Sequence, residues 1–281
     1  MSQLVQMRQR IKSIETIKKV THAMRLISMS SHARFRTQKS GLEAYKNELK
    51  RLFAVVQHEV VSWQNMQLQP PASSQGPVLF ILVGSQKGLC GIFNTLLFQF
   101  FQEKITPYSK QQLHLITVGK KACEYAEKLS LPVIKAYDEF SLATATTISN
   151  EILNTILTVS RPFSDVALLS NYPNTFFSQK PELSQLIPFD LPNVSPVQSP
   201  EEYSFEQSPE QLLDFLVTRF LFTTINELLL NSLIAESAAR FIAMDNSTRN
   251  ATNLLDDMKL DYNKLRQAKI TRELTDLIGS L

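Results

Sequence analysis

The sequence is short of helix-breaking residues at both of its ends. All thirteen prolines lie between Pro70 and Pro209, and outside that interval there are two glycines, Gly41 and Gly279. Proline removes a backbone donor, and glycine costs about 1 kcal/mol inside a helix. Two long helical ends are therefore favoured. The chain also lacks any apolar run near the roughly 20 residues that a membrane-spanning helix needs.

Cysteine and histidine are scarce as well. The two cysteines, Cys90 and Cys123, form no CxxC motif, and none of the four histidines has a second ligand at metal-binding spacing. We expect two buried thiols, which fits a cytosolic compartment. No nucleophile-elbow motif or paired-carboxylate motif is present. The sequence therefore predicts no catalytic site, no metal and no cofactor.

Helical periodicity fills both ends. In the N-terminal arm, apolar residues recur every three or four positions and predict a packing stripe of Leu4, Met7, Ile11, Ile14, Ile17, Val20, Met24 and Ile27. The pattern continues to about Trp63, with Gly41 as a candidate bend. Residues Glu210–Ile278 form the second arm, and Ser208-Pro209 is a good helix start. Helices this long need a partner along their length, so we predict an antiparallel coiled coil of the two arms.

Strands and helices alternate between the arms. The predicted strands are Pro77–Val83, Leu113–Val118, Leu131–Tyr137 and Asp165–Ser170, and the predicted helices are Ile92–Ile105, Lys120–Leu129 and Ala143–Ser160. This alternation predicts a small, parallel, Rossmann-like α/β sheet covered by helices. Residues 171–207 read as an extended segment or edge strand and then a connector. The predicted domains are an N-terminal coiled-coil helix (1–64), an α/β domain with connectors (65–207) and a C-terminal coiled-coil helix (208–281).

Positive charge is concentrated in the N-terminal arm. Residues 1–51 carry twelve Lys or Arg and three acids, a net charge of +9. Such an arm needs an acidic partner, a phosphate-rich partner or only water. Its apolar stripe is aliphatic rather than interleaved with exposed aromatics, which favours helix packing over nucleic-acid binding. A nucleic-acid-binding coiled-coil scaffold is one alternative function.

The loop Gly84–Gly91 (GSQKGLCG) is the strongest candidate for small-molecule binding. A glycine-rich turn between a strand and a helix could hold a phosphate. Its spacing matches neither GxxxxGK[ST] nor GxGxxG, which favours a tight structural turn. A nucleotide-binding α/β enzyme with helical oligomerisation arms is the second alternative function.

Four motifs, in order along the chain, resemble those of F-type ATP synthase γ subunits. They are Val20–Ser28 (VTHAMRLIS), Gly88–Gly91 followed by Asn94, Glu236–Met244 (ESAARFIAM) and Tyr262–Leu274 (YNKLRQAKITREL). The resemblance covers the whole chain, and the last motif is its most specific part. Departures from the family pattern include His22, Lys87, Ile92-Phe93, Leu265 and Lys269. In the family, the stretch equivalent to Asp245–Asn253, which is rich in poor helix formers, stays helical, so we expect a continuous C-terminal helix.

The resemblance implies a central rotor subunit without a catalytic site or a cofactor of its own. Its coiled coil would pass through the α3β3 ring, and its α/β domain would form the membrane-proximal foot with the ε subunit and the c-ring. One copy per complex would lie at the cytoplasmic face of the bacterial inner membrane, peripheral to it and without a nucleic-acid partner. Rotation driven by ion flow would carry each β site through its nucleotide states.

The resemblance also implies roles for single residues. By motif position, a β subunit is contacted by Met24, Arg266, Gln267, Thr271 and Glu273. Glu236 and Arg240 are expected to hold the two helices in register. The apolar tip would turn in an apolar sleeve without hydrogen bonds that fix one angle, through Leu274, Leu277, Ile278 and Leu281.

Overall fold

The computed structural model describes residues 3–57, 60, 63, 65, 68–70, 76–109, 112–159, 162–192 and 205–278. In chain order the elements are α1 (Gln3–Val56), β1 (Val78–Val83), α2 (Phe93–Ile105), β2 (Leu113–Val118), α3 (Lys120–Lys128), β3 (Val133–Tyr137), α4 (Leu142–Thr158), β4 (Asp165–Thr175), β5 (Ser178–Ile187) and α5 (Pro209–Ile278). No helix in these described ranges is both long and apolar enough to cross a bilayer.

The chain divides into two compact units. The helical unit consists of Met1–Ser30 and Arg240–Leu281, and the sheet unit consists of Ser31–Ala239. In the helical unit, α1 runs antiparallel to α5, because Glu15, Thr21 and Arg25 contact Lys259, Thr248 and Asp245 in that order. The same antiparallel order holds in the sheet unit, where His32 contacts Ser237 and Lys46 contacts Glu227.

The sheet has five strands in the order β3-β2-β1-β4-β5. The pairings among β1 to β4 are parallel, as the alternation of strands and helices predicts. β5 pairs antiparallel with β4, so the sheet is mixed rather than wholly parallel. The reason is the short turn between them, since a parallel return requires a crossover of a dozen or more residues. The predicted edge strand is thereby confirmed as β5, and residues 193–204 of the predicted connector lie outside the described residues.

Alternate residues of β1 feed two hydrophobic cores. Leu79, Ile81 and Val83 belong to the core that includes α4 and the two long helices. Phe80 and Leu82, on the opposite face, belong to the core of α2 and α3. Every residue of this central strand is buried, because helices cover both faces of the sheet.

The long helices differ from the predictions at one end. α1 ends at Val56, not near Trp63. Phe53 and Val56 are buried in the core of the sheet unit, whereas the Trp63 indole donates to Asp214 of α5 at 2.8 Å. α1 passes through Gly41 without a break in the helix. At the start of α5, the predicted cap is present, since the Gln211 amide donates to Ser208 Oγ at 3.4 Å.

α5 is continuous through Asp245–Asn253, as the resemblance implies. Hydroxyl groups in this stretch bond to the backbone of the helix itself. Ser247 and Thr252 each donate to the carbonyl four residues earlier, at 2.8 and 2.9 Å. Their side chains thus bond within the helix and do not compete for the backbone of another conformation.

Candidate functional site

A carboxylate between two arginines links the long helices in the helical unit. Asp245 on α5 accepts from Arg25 on α1 at 2.6 Å and from Arg249, one turn along α5, at 2.8 Å. The hydrogen bond from Arg25, aided by the charge of Arg249, lowers the pKa of Asp245. The carboxylate is mostly shielded from solvent. This arrangement favours one axial position of α1 against α5.

A pair of threonines lies one turn farther along the same interface. Thr248 Oγ donates to Thr21 Oγ at 2.9 Å, and Thr21 donates to the Lys18 carbonyl at 3.1 Å. Ser28 and Ala251 are also buried in this unit. Small side chains let two helices approach closely, so the interface is held by short polar contacts as well as by apolar packing.

Only part of the predicted apolar stripe on α1 lies on the face that packs in the structure. Leu4, Met7, Ile11, Ile14 and Met24 are half-buried, as expected. Ile17, Val20 and Ile27 are instead 49%, 52% and 65% exposed, and this part of the prediction is wrong. Across this stretch the packed positions are taken by Lys18, Thr21, Arg25 and Ser28, so polar side chains occupy the seam. The misplaced apolar residues form exposed surface on α1.

In the sheet unit the long helices are joined by charge and by aromatic packing. Lys46 Nζ lies 2.6 Å from the Glu227 carboxylate and also 5.2 Å from the centre of the Phe220 ring. Phe220 in turn packs edge-on against Phe53 at 5.5 Å. The Lys46 cation therefore links the two long helices here, because it contacts both a carboxylate and an aromatic ring of α5.

Two backbone amides of the loop after β1 donate to side chains of the protein. The Ser85 amide donates to Asn94 Oδ1 at 3.1 Å, and Asn94 Nδ2 donates back to Ser85 Oγ at 2.8 Å. The Gln86 amide donates to the Glu236 carboxylate at 3.3 Å. A phosphate at this loop would compete for the same donors, and a protein carboxylate already holds one of them. The structure thus supports the predicted structural turn over a phosphate site.

Two glycines allow the neighbouring strand ends to meet. Gly119 follows β2 with a φ of +88°, and a Cβ there would lie 2.5 Å from the Gly84 carbonyl oxygen. A Cβ on Gly84 would lie 2.9 Å from the Ala122 amide nitrogen. These positions require glycine for close approach rather than for ligand binding.

α5 lies at the place where doubly wound sheets bind ligands. That place is the crevice outside the carboxyl ends of the strands where the strand order reverses, here between β1 and β4. Cys90 and Phe93, which follow β1, form a buried cluster with Ala235 and Ala239 of α5. Asn171 of β4 donates to the Phe93 carbonyl at 3.1 Å. The crevice is thus filled by protein, and it serves to attach the helix to the sheet.

Cys90 and Cys123 are both buried, as predicted. Burial raises the pKa of Cys123 to about 11 despite a contact with Thr117 at 3.2 Å. Among the residues that the structure describes, no three His, Cys, Asp or Glu side chains are grouped to hold a metal ion.

The predicted β-contact residues lie in the helical unit. Met24 is half-buried, whereas Arg266, Gln267, Thr271 and Glu273 are exposed on α5. Their described contacts stay within the helix: Thr271 donates to the Gln267 carbonyl at 3.0 Å, and Glu273 lies 3.5 Å from Lys269. Leu274 and Ile278 of the predicted apolar tip are exposed. The side chain of Leu277 and all of Leu281 lie outside the described residues. The contact roles stay predictions.

Glu236 is buried and binds the loop after β1, and Arg240 is half-buried. Their role in helix register stays a prediction. The residues that join α1 to α5, such as Arg25 with Asp245 and Thr21 with Thr248, were not predicted. Pairing them requires the register of α1 against α5, and the sequence alone does not give that register.

Comparisons with known proteins agree with this geometry. The family described as ATP synthase matches residues 3–281. The chain is 30% identical to the ATP synthase gamma chain of Granulibacter bethesdensis, with 99% of this chain and 98% of that one covered. It is 29% identical to the ATP synthase gamma chain of Chlorobium phaeobacteroides, with the same coverage.

Solved structures share the fold at lower identity. A chain from the Euglena gracilis mitochondrial ATP synthase (OSCP/F1/c-ring) aligns with a TM-score of 0.63 and 19% identity, covering 98% of this chain and 93% of that one. A chain from the central stalk and c-ring of the Tetrahymena thermophila mitochondrial ATP synthase aligns with a TM-score of 0.55 and 16% identity, covering 81% and 98%. Neither alternative function, nucleotide-binding enzyme or nucleic-acid scaffold, finds support in these matches. The chain belongs to the ATP synthase family, among its gamma chains.

Proposed function

We propose that this chain is the central rotor shaft of an F-type ATP synthase and that it carries torque without catalysing a reaction. One observation carries the proposal: two long antiparallel helices are fixed in register by side-chain pairs, and one of them is fastened to the ends of the central strands. Torque applied to the sheet unit would pass to α5 through Glu236 and the cluster of Cys90, Phe93, Ala235 and Ala239.

The exposed surface of the helical unit suits a turning contact. α1 exposes Ile17, Val20 and Ile27, and α5 exposes Leu274 and Ile278. Apolar contacts are non-directional, so they stabilise an interface without fixing one rotational angle. Residues 1–30 of this unit carry six Lys or Arg and one acid, and their net charge of +5 adds a long-range attraction to acidic surfaces.

The partners that follow from this role are an α3β3 ring around the helices and an ε subunit and c-ring at the sheet unit. The relatives' names and the titles of the solved assemblies support such partners. We place one copy per complex, peripheral to the membrane through the ion-conducting sector, at the cytoplasmic face of a bacterial inner membrane. Chemistry would occur on the β subunits, since the crevice of this sheet is filled by α5.

Co-purification tests the proposal first. An affinity tag on this chain, expressed in its own cells, should recover α and β subunits in a complex that hydrolyses ATP. Isolation of the chain without them, or micromolar binding of ATP by the chain alone in titration calorimetry, would argue for a different function.

A double substitution tests the predicted β contact. Replacing Arg266 and Gln267 with Leu should reduce assembly or ATP-driven rotation at least severalfold, because both side chains are exposed and lie outside the helix–helix contacts described here. The stability of the isolated chain should change by no more than about 0.5 kcal/mol. Asn47→Leu with Arg51→Leu is the matched control, since it also removes one amide and one exposed cation. Normal rotation and assembly in the first variant would remove this role.

A further inference from the structure

His32 on α1 lies where three elements of the sheet unit meet. It is 6% exposed. Its Nδ1 is 3.3 Å from Ser237 Oγ and 3.4 Å from the Ile234 carbonyl, both on α5. Its ring packs edge-on against Phe176 at 4.9 Å, at the tip of the β4–β5 hairpin. A single imidazole therefore contacts both long helices and the hairpin.

The contacts on α5 assign the proton of the neutral ring. Ser237 Oγ donates its own hydrogen to the Ile234 carbonyl at 2.8 Å. The hydroxyl oxygen and the carbonyl that face His32 are therefore both acceptors, so Nδ1 carries the hydrogen. A second proton would be added at Nε2, and the ring would become a cation inside a buried contact.

The charges around His32 oppose that second proton. Burial lowers the pKa of His32, the hydrogen bond to Ile234 raises it in part, and the positive charge of Arg36 lowers it further. Arg36, Lys39 and Glu43 of α1 line the same cleft, of about 350 Å³. Glu43 lies about 16 Å along the helix from His32 and pairs with Lys39 at 3.5 Å.

Among the described residues of α5 and the hairpin, the ring of His32 contacts a hydroxyl oxygen, a carbonyl oxygen and an aromatic ring, all of them uncharged. On α5, the neighbouring carboxylate is Glu236, which accepts from the Gln86 amide. The part of the hairpin that lines the cleft, Pro173–Phe176, contains no titratable residue. Protonation would therefore place a cation beside Arg36, at a site that water reaches poorly.

We propose that His32 and Phe176 form a brace that fastens the hairpin tip to both long helices, and that the brace holds only while His32 is neutral. The proposal rests on the shaft function, because it names a third attachment through which the sheet unit would grip the helices. The sign follows from burial: the contact is complete above the usual pKa of 6.5 and weakens as the pH falls below it.

Hydrogen exchange of the full-length chain tests the brace. The amides of residues 174–178 should exchange about three- to tenfold faster at pH 5.5 than at pH 7.5, after correction for the intrinsic rate, as loss of one aromatic contact predicts. His32→Leu should keep the tip protected at both pH values, since leucine is apolar and does not titrate. Phe176→Ala should give fast exchange at both, and it alters only the hairpin tip.

Two controls separate the brace from general acid effects. Phe177→Ala changes the adjacent aromatic, which is 78% exposed and packs edge-on against Phe176 at 5.2 Å, so it should speed exchange modestly at both pH values and leave the acid-induced rise intact. His22→Leu removes an exposed histidine of α1 and should leave the acid-induced rise intact. A tip whose corrected exchange does not depend on pH, or a rise that survives His32→Leu, would overturn the proposal. Co-purification tests the shaft function separately, so the brace proposal and the shaft proposal can each fail without the other.

Discussion

The helical unit and the sheet unit bury very different kinds of side chain. In the sheet unit the core contains large residues with almost no exposure, such as Phe53, Phe80 and Phe101. Among the described residues of the helical unit, the buried ones are Thr21, Ser28, Met244, Thr248, Ala251 and Leu255. Apolar residues as large as Ile27 and Ile278 stay exposed there. One unit hides its apolar surface, and the other keeps much of it outside.

This difference indicates which unit contributes most of the stability and which unit leaves apolar surface exposed for partners. Burial of apolar surface contributes about 25 cal/mol per Å², so the sheet unit supplies most of the folding free energy. The helical unit gains less and relies on polar pairs for register. Exposed apolar patches of this kind mark interaction sites. The helical unit is therefore built to be completed by another protein.

Truncation of a buried leucine to alanine should give the largest loss of stability, and the size of the loss should differ between the two units. Leu79→Ala, in the fully buried central strand, should reduce the free energy of unfolding by about 4 kcal/mol, near the upper end for such changes. Leu255→Ala, in the helical unit, should cost about 2 kcal/mol because fewer neighbours surround the cavity. Urea denaturation of the isolated chain measures both. Equal losses would show that the two units are packed alike.

A pair of glycines sharpens the comparison inside the sheet unit. Gly119→Ala should destabilise the chain by about 3 kcal/mol, because the new Cβ meets a backbone oxygen and φ is positive. Gly41→Ala, in α1 with nothing within 4 Å of its Cβ, should be neutral or stabilise by up to about 1 kcal/mol. Thermal denaturation distinguishes them. A similar loss at both positions would contradict the role given to the strand ends.

The smallest expected effect concerns the threonine pair. Thr248→Val should cost about 1 kcal/mol, because Thr21 loses its donor. Adding Thr21→Val should restore most of the loss, since two apolar groups of the same shape then face each other. A double-mutant cycle in urea measures the coupling. Strictly additive losses would show that the hydrogen bond does not join the helices.

Much of the fold could be predicted because it depends on local pattern. The strands β1 to β4 and the helices between them follow from apolar runs and their breaks, and α5 follows from the absence of proline and glycine after Pro209. The end of α1 could not be predicted in this way. Phe53 and Val56, in its last turn, enter the core of the sheet unit, a tertiary contact that periodicity does not encode.

The candidate site was less predictable because it depends on register. Whether Ile17 or Lys18 faces α5 depends on the relative register of two segments that are more than 200 positions apart in the sequence. The charges that set the register, Arg25 and Asp245, look like ordinary surface residues in the sequence. His32 likewise gives no sign of its burial, since Phe176 reaches it from a distant hairpin.

The seating of α5 over the ends of β1 and β4 has a consequence for a protein that works among nucleotides. An ATP molecule seeking this crevice would have to displace Ala235 and Ala239 and compete with the carboxylate of Glu236. The contact between the sheet and α5 should therefore not depend on the ATP concentration in the cell. It should hold equally well when ATP is plentiful and when it is scarce.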